Sequence, residues 1–129
     1  SVERFSEGTA KSLHEQSGYL AAISDADNIL HAFGTGRKAL MGRAVSDEIT
    51  ELMSARGSHL ASLAEGGSVL PVVKDGETNF TAQFVVPIVA GGDCLGAVIL
   101  LSSEEGAVME SSAVKLARLT ADIIASQFE

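Results

Sequence analysis

Two consecutive segments that are apolar on both faces constrain the fold of this chain more than any other feature. Residues 79–102 read Asn-Phe-Thr-Ala-Gln-Phe-Val-Val-Pro-Ile-Val, then Ala-Gly-Gly-Asp, then Cys-Leu-Gly-Ala-Val-Ile-Leu-Leu-Ser. The Gly-Gly pair predicts a tight turn between two strands. An antiparallel strand with one solvated face alternates apolar and polar residues, and these two strands do not. The hairpin is therefore predicted to lie in the middle of a sheet that is covered on both faces.

The rest of the chain predicts helices at both ends and further strands between them. Helices are expected at 2–16, 46–54 and 108–128, with a helical turn at 37–41 and a further short helix at 58–64, and strands are expected at 19–24, 29–33 and 68–73. Ser46 is a good N-cap for the middle helix. This order predicts an α+β fold with a central antiparallel sheet of five to six strands. The terminal helices would cover one face, and a short helix and loop segment would cover a pocket on the other face.

Length and composition exclude several classes of protein. The 129 residues suffice for one domain with its own core, so residues 1–129 are predicted to form a single domain. A net charge of −8 without a basic stripe predicts that the chain does not bind nucleic acid by itself. No apolar run is long enough to span a membrane, and a cytoplasmic location is expected. Because the sequence starts at or just before a helix, it is interpreted as a fragment of a longer protein.

Several stretches of the sequence together carry a resemblance to a known family. They are Ile-Ser-Asp-Ala-Asp-Asn-Ile at 23–29, the spacing of Gly34, Lys38, Leu40, Arg43 and Ser46 followed by Glu51 and Arg56, and Val-Pro-Ile-Val-Ala-Gly-Gly-Asp at 86–93 continuing as Leu-Gly-Ala-Val-Ile at 95–99. With this pattern the chain resembles the C-terminal GAF domains of the stage V sporulation protein T family of transcription regulators. The resemblance covers nearly the whole chain, with departures at Gly42 and Cys94.

The resemblance implies a regulatory role in a larger, DNA-binding protein. In that family the GAF domain follows an AbrB-type swapped-hairpin domain, which would contact DNA and is absent from this sequence. Activation or repression of sporulation genes is the implied function. The GAF domain would sense an unknown small molecule, without a cofactor, and support a homodimer or a tetramer of the intact protein. The alternative is a purely structural dimerisation domain that has no ligand.

A ligand pocket is predicted beneath the middle segment of the chain. The candidate lining residues are His31, Phe33, Arg37, Lys38, Arg43, Met53, Leu70 and Phe84. The three basic residues lie among Gly34, Gly36 and Gly42, so the loop could bind a nucleotide, phosphate or carboxylate. The alternative is a solvated loop, since the glycine spacing is not that of a Walker motif. Likewise His31 is either a pocket residue or a partly buried histidine of the sheet, and the apolar candidates are either pocket or core.

Catalysis and metal binding are not expected. His14 and His59 lack metal-ligand spacing to each other and to Cys94, so a zinc site is not expected. Some GAF domains reduce free methionine sulfoxide with a nucleophilic and resolving cysteines, and one cysteine cannot supply that set. Cys94 is interpreted as a small apolar residue of a buried strand, with a redox or alkylation target as the alternative.

The terminal helices are predicted to form a dimer interface. The candidate residues are Phe5, Val114, Leu119, Ile123 and Phe128. Val114 and Leu119 are placed by helical periodicity outside the arc that would face the sheet, so a monomer would expose them. Two copies would bury these side chains in a four-helix bundle. The alternative is that both helices pack only on their own sheet.

Overall fold

The computed structural model describes residues 2–76 and 79–129 and has an α+β architecture. The elements in chain order are α1 (Glu3–Ser17), β1 (Leu20–Asp25), β2 (Ile29–Phe33), a 3₁₀ turn (Arg37–Ala39), α2 (Asp47–Ala55), β3 (His59–Ser62), a second 3₁₀ turn (Leu63–Glu65), β4 (Ala82–Ala90), β5 (Asp93–Ser102) and α3 (Ser111–Ser126). The predicted fold class is confirmed, with five strands in the sheet.

The predicted central hairpin is formed by β4 and β5. The sheet order is β2-β1-β5-β4-β3, and all four neighbouring pairs are antiparallel. Gly91 and Gly92 connect β4 to β5 with φ values of 58° and 86°. A two-residue hairpin loop requires positive φ at both positions, which glycine adopts without steric cost. Strands β1, β5 and β4 each have a neighbouring strand on both sides and form the interior of the sheet.

The terminal helices cover one face of the sheet, as predicted. Alanines at every fourth position of α3, at 113, 117 and 121, are buried in a core that also includes Leu13 of α1 and Leu100 of β5. Because alanine side chains are short, α3 lies close to the strands. None of the helices in the described part of the chain is long and apolar enough to cross a membrane.

The segment between β2 and β4 covers the other face. Leu40, Ile49 and Met53 are buried there against Val85 and Ile99 of the central hairpin. Ser46 accepts a hydrogen bond from the backbone N–H of Ile49 at 3.1 Å and is the N-cap of α2. The cap predicted from the sequence is therefore present.

Two predicted elements are wrong. The short helix expected at 58–64 is replaced by β3 and the 3₁₀ turn, because residues 59–62 pair with 82–85 of β4. The strand expected at 68–73 is extended chain whose ladder contact among the described residues is a single bridge between Val45 and Val73. The backbone N–H and carbonyl of Leu70 are both hydrogen-bonded to the side chain of Gln83 and not to a neighbouring strand.

The last helix begins at Ser111, three residues later than predicted. The hydroxyl of Tyr19 donates to the carbonyl of Val108 at 3.2 Å and accepts from the backbone N–H of Glu110 at 3.1 Å. The N–H of Met109 also points to the hydroxyl of Ser62, at 3.4 Å. These bonds hold residues 108–110 outside the helix, and Glu110 has an extended backbone. The helical periodicity of the sequence therefore begins before the helix does.

Candidate functional site

A cavity of about 280 Å³ lies between the first 3₁₀ turn and the chain that precedes β4. Its described lining residues are Ala39, Leu40, Arg43, Val72, Val73, Asp75, Gly76, Asn79 and Phe80. It lies on the α2 face of the sheet, where the sequence predicts a pocket. Of the predicted pocket residues, Arg43 is in this described lining. In the sequence, the Asp75-Gly76 pair indicates a turn and gives no sign of a pocket.

Arg43 joins the two walls of the cavity. Its guanidinium donates to the carbonyl of Lys74 at 2.9 Å and to that of Ala39 at 3.3 Å. The two bonds use two of the five N–H groups of the guanidinium. Arg43 therefore bridges the two walls, and the described residues accept hydrogen bonds from two of its N–H groups.

The wall formed by residues 71–74 is bonded to the start of α2. The backbone N–H of Ser46 donates to the carbonyl of Val72 at 2.9 Å, and Lys74 donates to that of Ala44 at 3.0 Å. The hydroxyl of Ser46 donates to the carbonyl of Pro71. A displacement of this wall would consequently be transmitted to the N-terminus of α2.

The two other predicted basic residues of the pocket lie outside this cavity. The guanidinium of Arg37 lies over the ring of Phe33, 5.5 Å from its centroid. Lys38 is exposed to solvent. Of the predicted basic cluster, only Arg43 is among the described residues that line the cavity. The described residues therefore do not bring the three cations together at this cavity, and the choice between an anion site and a solvated loop stays open.

Three more predicted pocket residues lie on the opposite face of the sheet. Phe84 is buried, and Phe33 half-buried, in the core beneath α1 and α3. His31 lies 3.8 Å from the carboxylate of Glu7 in α1. The register between β1 and β2 shifts by one residue between the pairs Ile23–His31 and Ser24–Ile29. This bulge places His31 and Ile29 on different faces and breaks the alternation assumed from the sequence.

The last two predicted pocket residues, Met53 and Leu70, do not line this cavity among the residues described. Met53 instead lines a separate surface cavity of about 330 Å³ together with Arg56 and Cys94. The Cys94 thiol is half-buried and donates to the carbonyl of Gly96 at 3.3 Å. Leu70 is half-buried and held by its backbone.

The terminal helices expose part of the predicted dimer interface. Leu119 and Ile123 of α3 are 55% and 53% exposed. Ile123 and Phe5 line a groove of about 460 Å³ between α1 and α3. Leu119 lies one helical turn before Ile123 on α3. The ring of Phe5 also contacts that of Phe128 edge to face, at 6.0 Å between centroids.

Val114 differs from the prediction. It is half-buried and packs on the core beneath the helices. The alanines of α3 bring this helix near the sheet, and the buried arc therefore extends as far as Val114. The predicted exposure of Val114 is therefore not observed, and this residue gives no support to a dimer interface.

The chain matches one protein family and one curated relative over nearly its full length. The family described as stage V sporulation protein T C-terminal, transcription factor, matches residues 1–129. Stage V sporulation protein T of Bacillus subtilis (strain 168) is 29% identical over 125 residues, which are 97% of this chain and 67% of that protein.

Solved structures are similar in fold. The GAF-B domain of DevS from Mycobacterium smegmatis has a TM-score of 0.75 and 13% identity, and the match covers 98% of this chain and 91% of that one. The cofactor-binding GAF domain of the nutrient sensor CodY from Clostridium difficile has a TM-score of 0.68 and 14% identity, with 95% and 83% covered. These similarities show a GAF fold. With the match over residues 1–129, they show that the chain belongs to the family of stage V sporulation protein T C-terminal domains, a family of transcription factors.

Proposed function

We propose that this GAF domain senses a small molecule and holds two copies of its transcription regulator together. DNA would be contacted by a part of the regulator outside this sequence, as the charge of −8 favours. The observation that carries the sensing function is the cavity between the first 3₁₀ turn and the chain that precedes β4. Its described lining combines the buried apolar residues Leu40, Val72 and Val73 with polar residues, which is the composition of a small-molecule site.

The bonds around the cavity supply a route from ligand to helices. The wall at 71–74 is bonded to Ser46, and α2 packs on β5. The same central strands contact α1 and α3 from their other face. A ligand that prefers one position of the wall would shift this packed assembly, and the ligand must bind the two arrangements with different affinities for any shift to occur.

Self-association would use the outer surface of α1 and α3. Leu119 and Ile123 are large apolar side chains on a helix, next to a groove that could receive the same side chains of a second copy. A two-fold axis makes such a contact reciprocal. Phe5 and Phe128 would border this interface, and Val114 would contribute to the core of each subunit instead.

The test of self-association is the mass in solution by light scattering across dilution. Leu119→Glu and Ile123→Glu place a charge in the proposed interface, and we expect both to give a monomer where the wild-type chain gives a dimer. Leu60→Glu is the matched control, because Leu60 is 57% exposed on the edge strand β3, away from both helices. A wild-type monomer at every concentration, or a dimer that survives both changes, would contradict the proposal.

The second candidate is a structural dimerisation domain without a ligand. The exposed Leu119 and Ile123 support this function as well as the first, since self-association needs no cavity. The cavity distinguishes the two candidates, and a ligand titration decides between them.

A catalytic function is not part of the proposal. Cys94 is the single cysteine of the chain, and its thiol donates to a backbone carbonyl. We propose a cytoplasmic location for the intact regulator, where it would reach DNA.

A further inference from the structure

We infer that a second copy of this chain occupies the groove between α1 and α3 in one register, with its Ile123 packed on Gly8 and its Leu119 packed on Ser12. The inference rests on the proposed self-association and specifies the direction of the contact and the residue that determines it. It is drawn from the surface of the groove, the relative direction of the two helices and the distribution of charge.

Gly8 is an exposed glycine in the interior of α1. It lines the groove, and a Cβ built on it meets no atom of the chain within 4 Å. Glycine destabilises a helix relative to alanine, and the backbone of Gly8 is helical and does not require it. Contacts among the described residues therefore do not account for a glycine here. A side chain of another molecule that packs directly on the backbone of α1 does.

The spacing of the exposed apolar residues on α3 matches the shallow positions on α1. Ser12 also lines the groove and is exposed, four residues after Gly8. Leu119 and Ile123 are likewise four residues apart and are both more than half exposed. Residues four apart lie on one side of a helix, about one turn from each other. Two copies related by a two-fold axis would match these two pairs of positions twice.

α1 and α3 run in opposite directions, as contacts at both ends show. Phe5, near the start of α1, contacts Phe128, just beyond α3, with 6.0 Å between the ring centroids. At the other end, the hydroxyl of Tyr19, just after α1, accepts from the N–H of Glu110, just before α3, at 3.1 Å. The start of each helix therefore lies at the height of the end of the other.

This arrangement determines the register of the second copy. A two-fold axis parallel to the helices leaves each residue at its own height and sets α3 of one copy antiparallel to α1 of the other. Ile123 lines the groove together with Gly8, and Leu119 lies one turn nearer to the C-terminus of α1. Ile123 of the second copy therefore reaches Gly8, and its Leu119 reaches Ser12.

The charge distribution favours the helices as the surface at which identical chains meet. Together α1 and α3 carry four acidic and four basic residues, which are Glu3, Arg4, Glu7, Lys11, Glu15, Lys115, Arg118 and Asp122. The two helices are therefore neutral, and the net charge of −8 belongs to the rest of the sequence. Two copies that meet at these helices keep their acidic parts away from each other.

The same register also brings opposite charges together. Glu15, near the end of α1, and Lys115, near the start of α3, are exposed and lie at similar heights, so Lys115 of the second copy lies opposite Glu15. Asp122 of the second copy lies at a height between Arg4 and Lys11. An axis perpendicular to the helices would reverse α3 of the second copy and bring its Lys115 to Arg4, which is a contact between like charges.

The test of the register mixes two charge variants, Glu15→Lys and Lys115→Glu. Each variant alone places like charges opposite one another twice in its dimer, and we expect its dimer dissociation constant to rise about three- to tenfold. In the mixture, both contacts of the heterodimer join opposite charges. With one variant isotopically labelled, native mass spectrometry should show more heterodimer than a mixture of labelled and unlabelled wild-type chains, which is the control.

The test of the glycine is Gly8→Leu, which fills the position that Ile123 of the second copy occupies. We expect the dimer dissociation constant to rise at least about tenfold, because the contact becomes overpacked. Unfolding of the dissociated chain, followed by circular dichroism, should be unchanged or less favourable, since leucine favours a helix. Glu7→Leu is the matched control. This exposed neighbour lies 3.8 Å from His31 of β2 and outside the described lining of the groove.

The outcomes separate this register from self-association in general. If the heterodimer does not exceed its share in the wild-type mixture, the register is overturned, and the proposed self-association stands as long as Leu119→Glu and Ile123→Glu give monomers. If Gly8→Leu dimerises as tightly as Glu7→Leu, Gly8 does not receive Ile123 and the inference is wrong. A wild-type chain that is monomeric at every concentration overturns both the register and the proposed self-association.

Discussion

The side-chain amide of Gln83 makes both of its hydrogen bonds to the backbone of one residue, Leu70. Its oxygen accepts from the N–H of Leu70 at 3.0 Å, and its nitrogen donates to the carbonyl of Leu70 at 2.9 Å. Gln83 is fully buried in β4. The amide thus satisfies the backbone of the 68–73 segment in the way a neighbouring strand would, and ties the chain that leads to the cavity wall to the sheet.

Gln83→Leu is expected to destabilise the domain. The change leaves the backbone N–H and carbonyl of Leu70 without these partners, and buried unsatisfied groups cost about 1–3 kcal/mol each. We predict a loss of roughly 2–4 kcal/mol in the free energy of unfolding, measured by urea denaturation. Gln127→Leu, at the exposed end of α3, is the control and should change it by less than about 0.5 kcal/mol. Equal effects of the two changes would show that the paired bonds do not stabilise the fold.

Gly96→Ala and Gly8→Ala are expected to have opposite effects. A Cβ on Gly96, within β5, would overlap the carbonyl oxygen of Ser24 on the neighbouring strand. We expect a loss of about 3 kcal/mol or more, or no folded protein, because the buried strands cannot separate. A Cβ on Gly8, in α1, would meet no atom within 4 Å.

Gly8→Ala should therefore raise the free energy of unfolding by roughly 0.5–1 kcal/mol, as alanine does in a helix. Urea denaturation of both variants at one protein concentration gives the comparison. A stable Gly96→Ala variant would mean that β1 and β5 lie farther apart than described here.

The sequence predicts the covered sheet well because its signals are local. The continuous apolar runs of β4 and β5, the Gly-Gly turn and the Ser46 cap each depend on residues near one another in the chain. The same holds for the helix periodicity that placed α1 and α3. These features fix the two layers, and the resemblance to GAF domains agrees with them.

The candidate site was predicted less well because it depends on contacts between distant segments. The bulge in the β1–β2 pair decides which face receives His31, and no local pattern marks it. Residues 59–62 are a strand because β4 offers them an edge. The bonds of Arg43 to Ala39 and Lys74 join the two walls of the cavity, and one of them connects residues 31 positions apart.

Ser46→Ala is expected to destabilise α2 and the cavity wall together. The hydroxyl of Ser46 accepts from the N–H of Ile49 at 3.1 Å and donates to the carbonyl of Pro71. Loss of an N-cap costs about 0.5–2 kcal/mol, and we expect the upper end because the second bond is lost as well. Thermal or urea unfolding measures the change.

The control for this prediction is Ser54→Ala. Ser54 is an exposed residue of the same helix, and alanine has the higher helix propensity, so its stability should be unchanged or slightly raised. If Ser46→Ala is as stable as Ser54→Ala, the link between α2 and the wall is not the one described.

Arg56 ends α2 in a strained conformation and contacts the tip of the central hairpin. Its φ is 53°, and its Nε donates to the carbonyl of Gly92 at 2.7 Å. Two variants separate these effects, because a non-glycine residue in the left-handed region costs roughly 1–2 kcal/mol that glycine does not incur. Arg56→Ala loses the bond and keeps the strain, and we expect a loss of about 1 kcal/mol in the free energy of unfolding. Arg56→Gly loses the bond and relieves the strain, and should lie within about 0.5 kcal/mol of the wild type.

The relative stability of Arg56→Ala and Arg56→Gly separates the backbone strain from the hydrogen bond. Lys11→Ala, at an exposed position of α1, gives the effect of removing a cation from the surface of this acidic domain, and its unfolding is measured in the same urea series. If Arg56→Gly unfolds as easily as Arg56→Ala, the backbone strain contributes nothing, and the contact with Gly92 accounts for the whole effect. If both match Lys11→Ala, α2 is held on the hairpin by its buried face alone, and Arg56 does not connect the helix end to the turn.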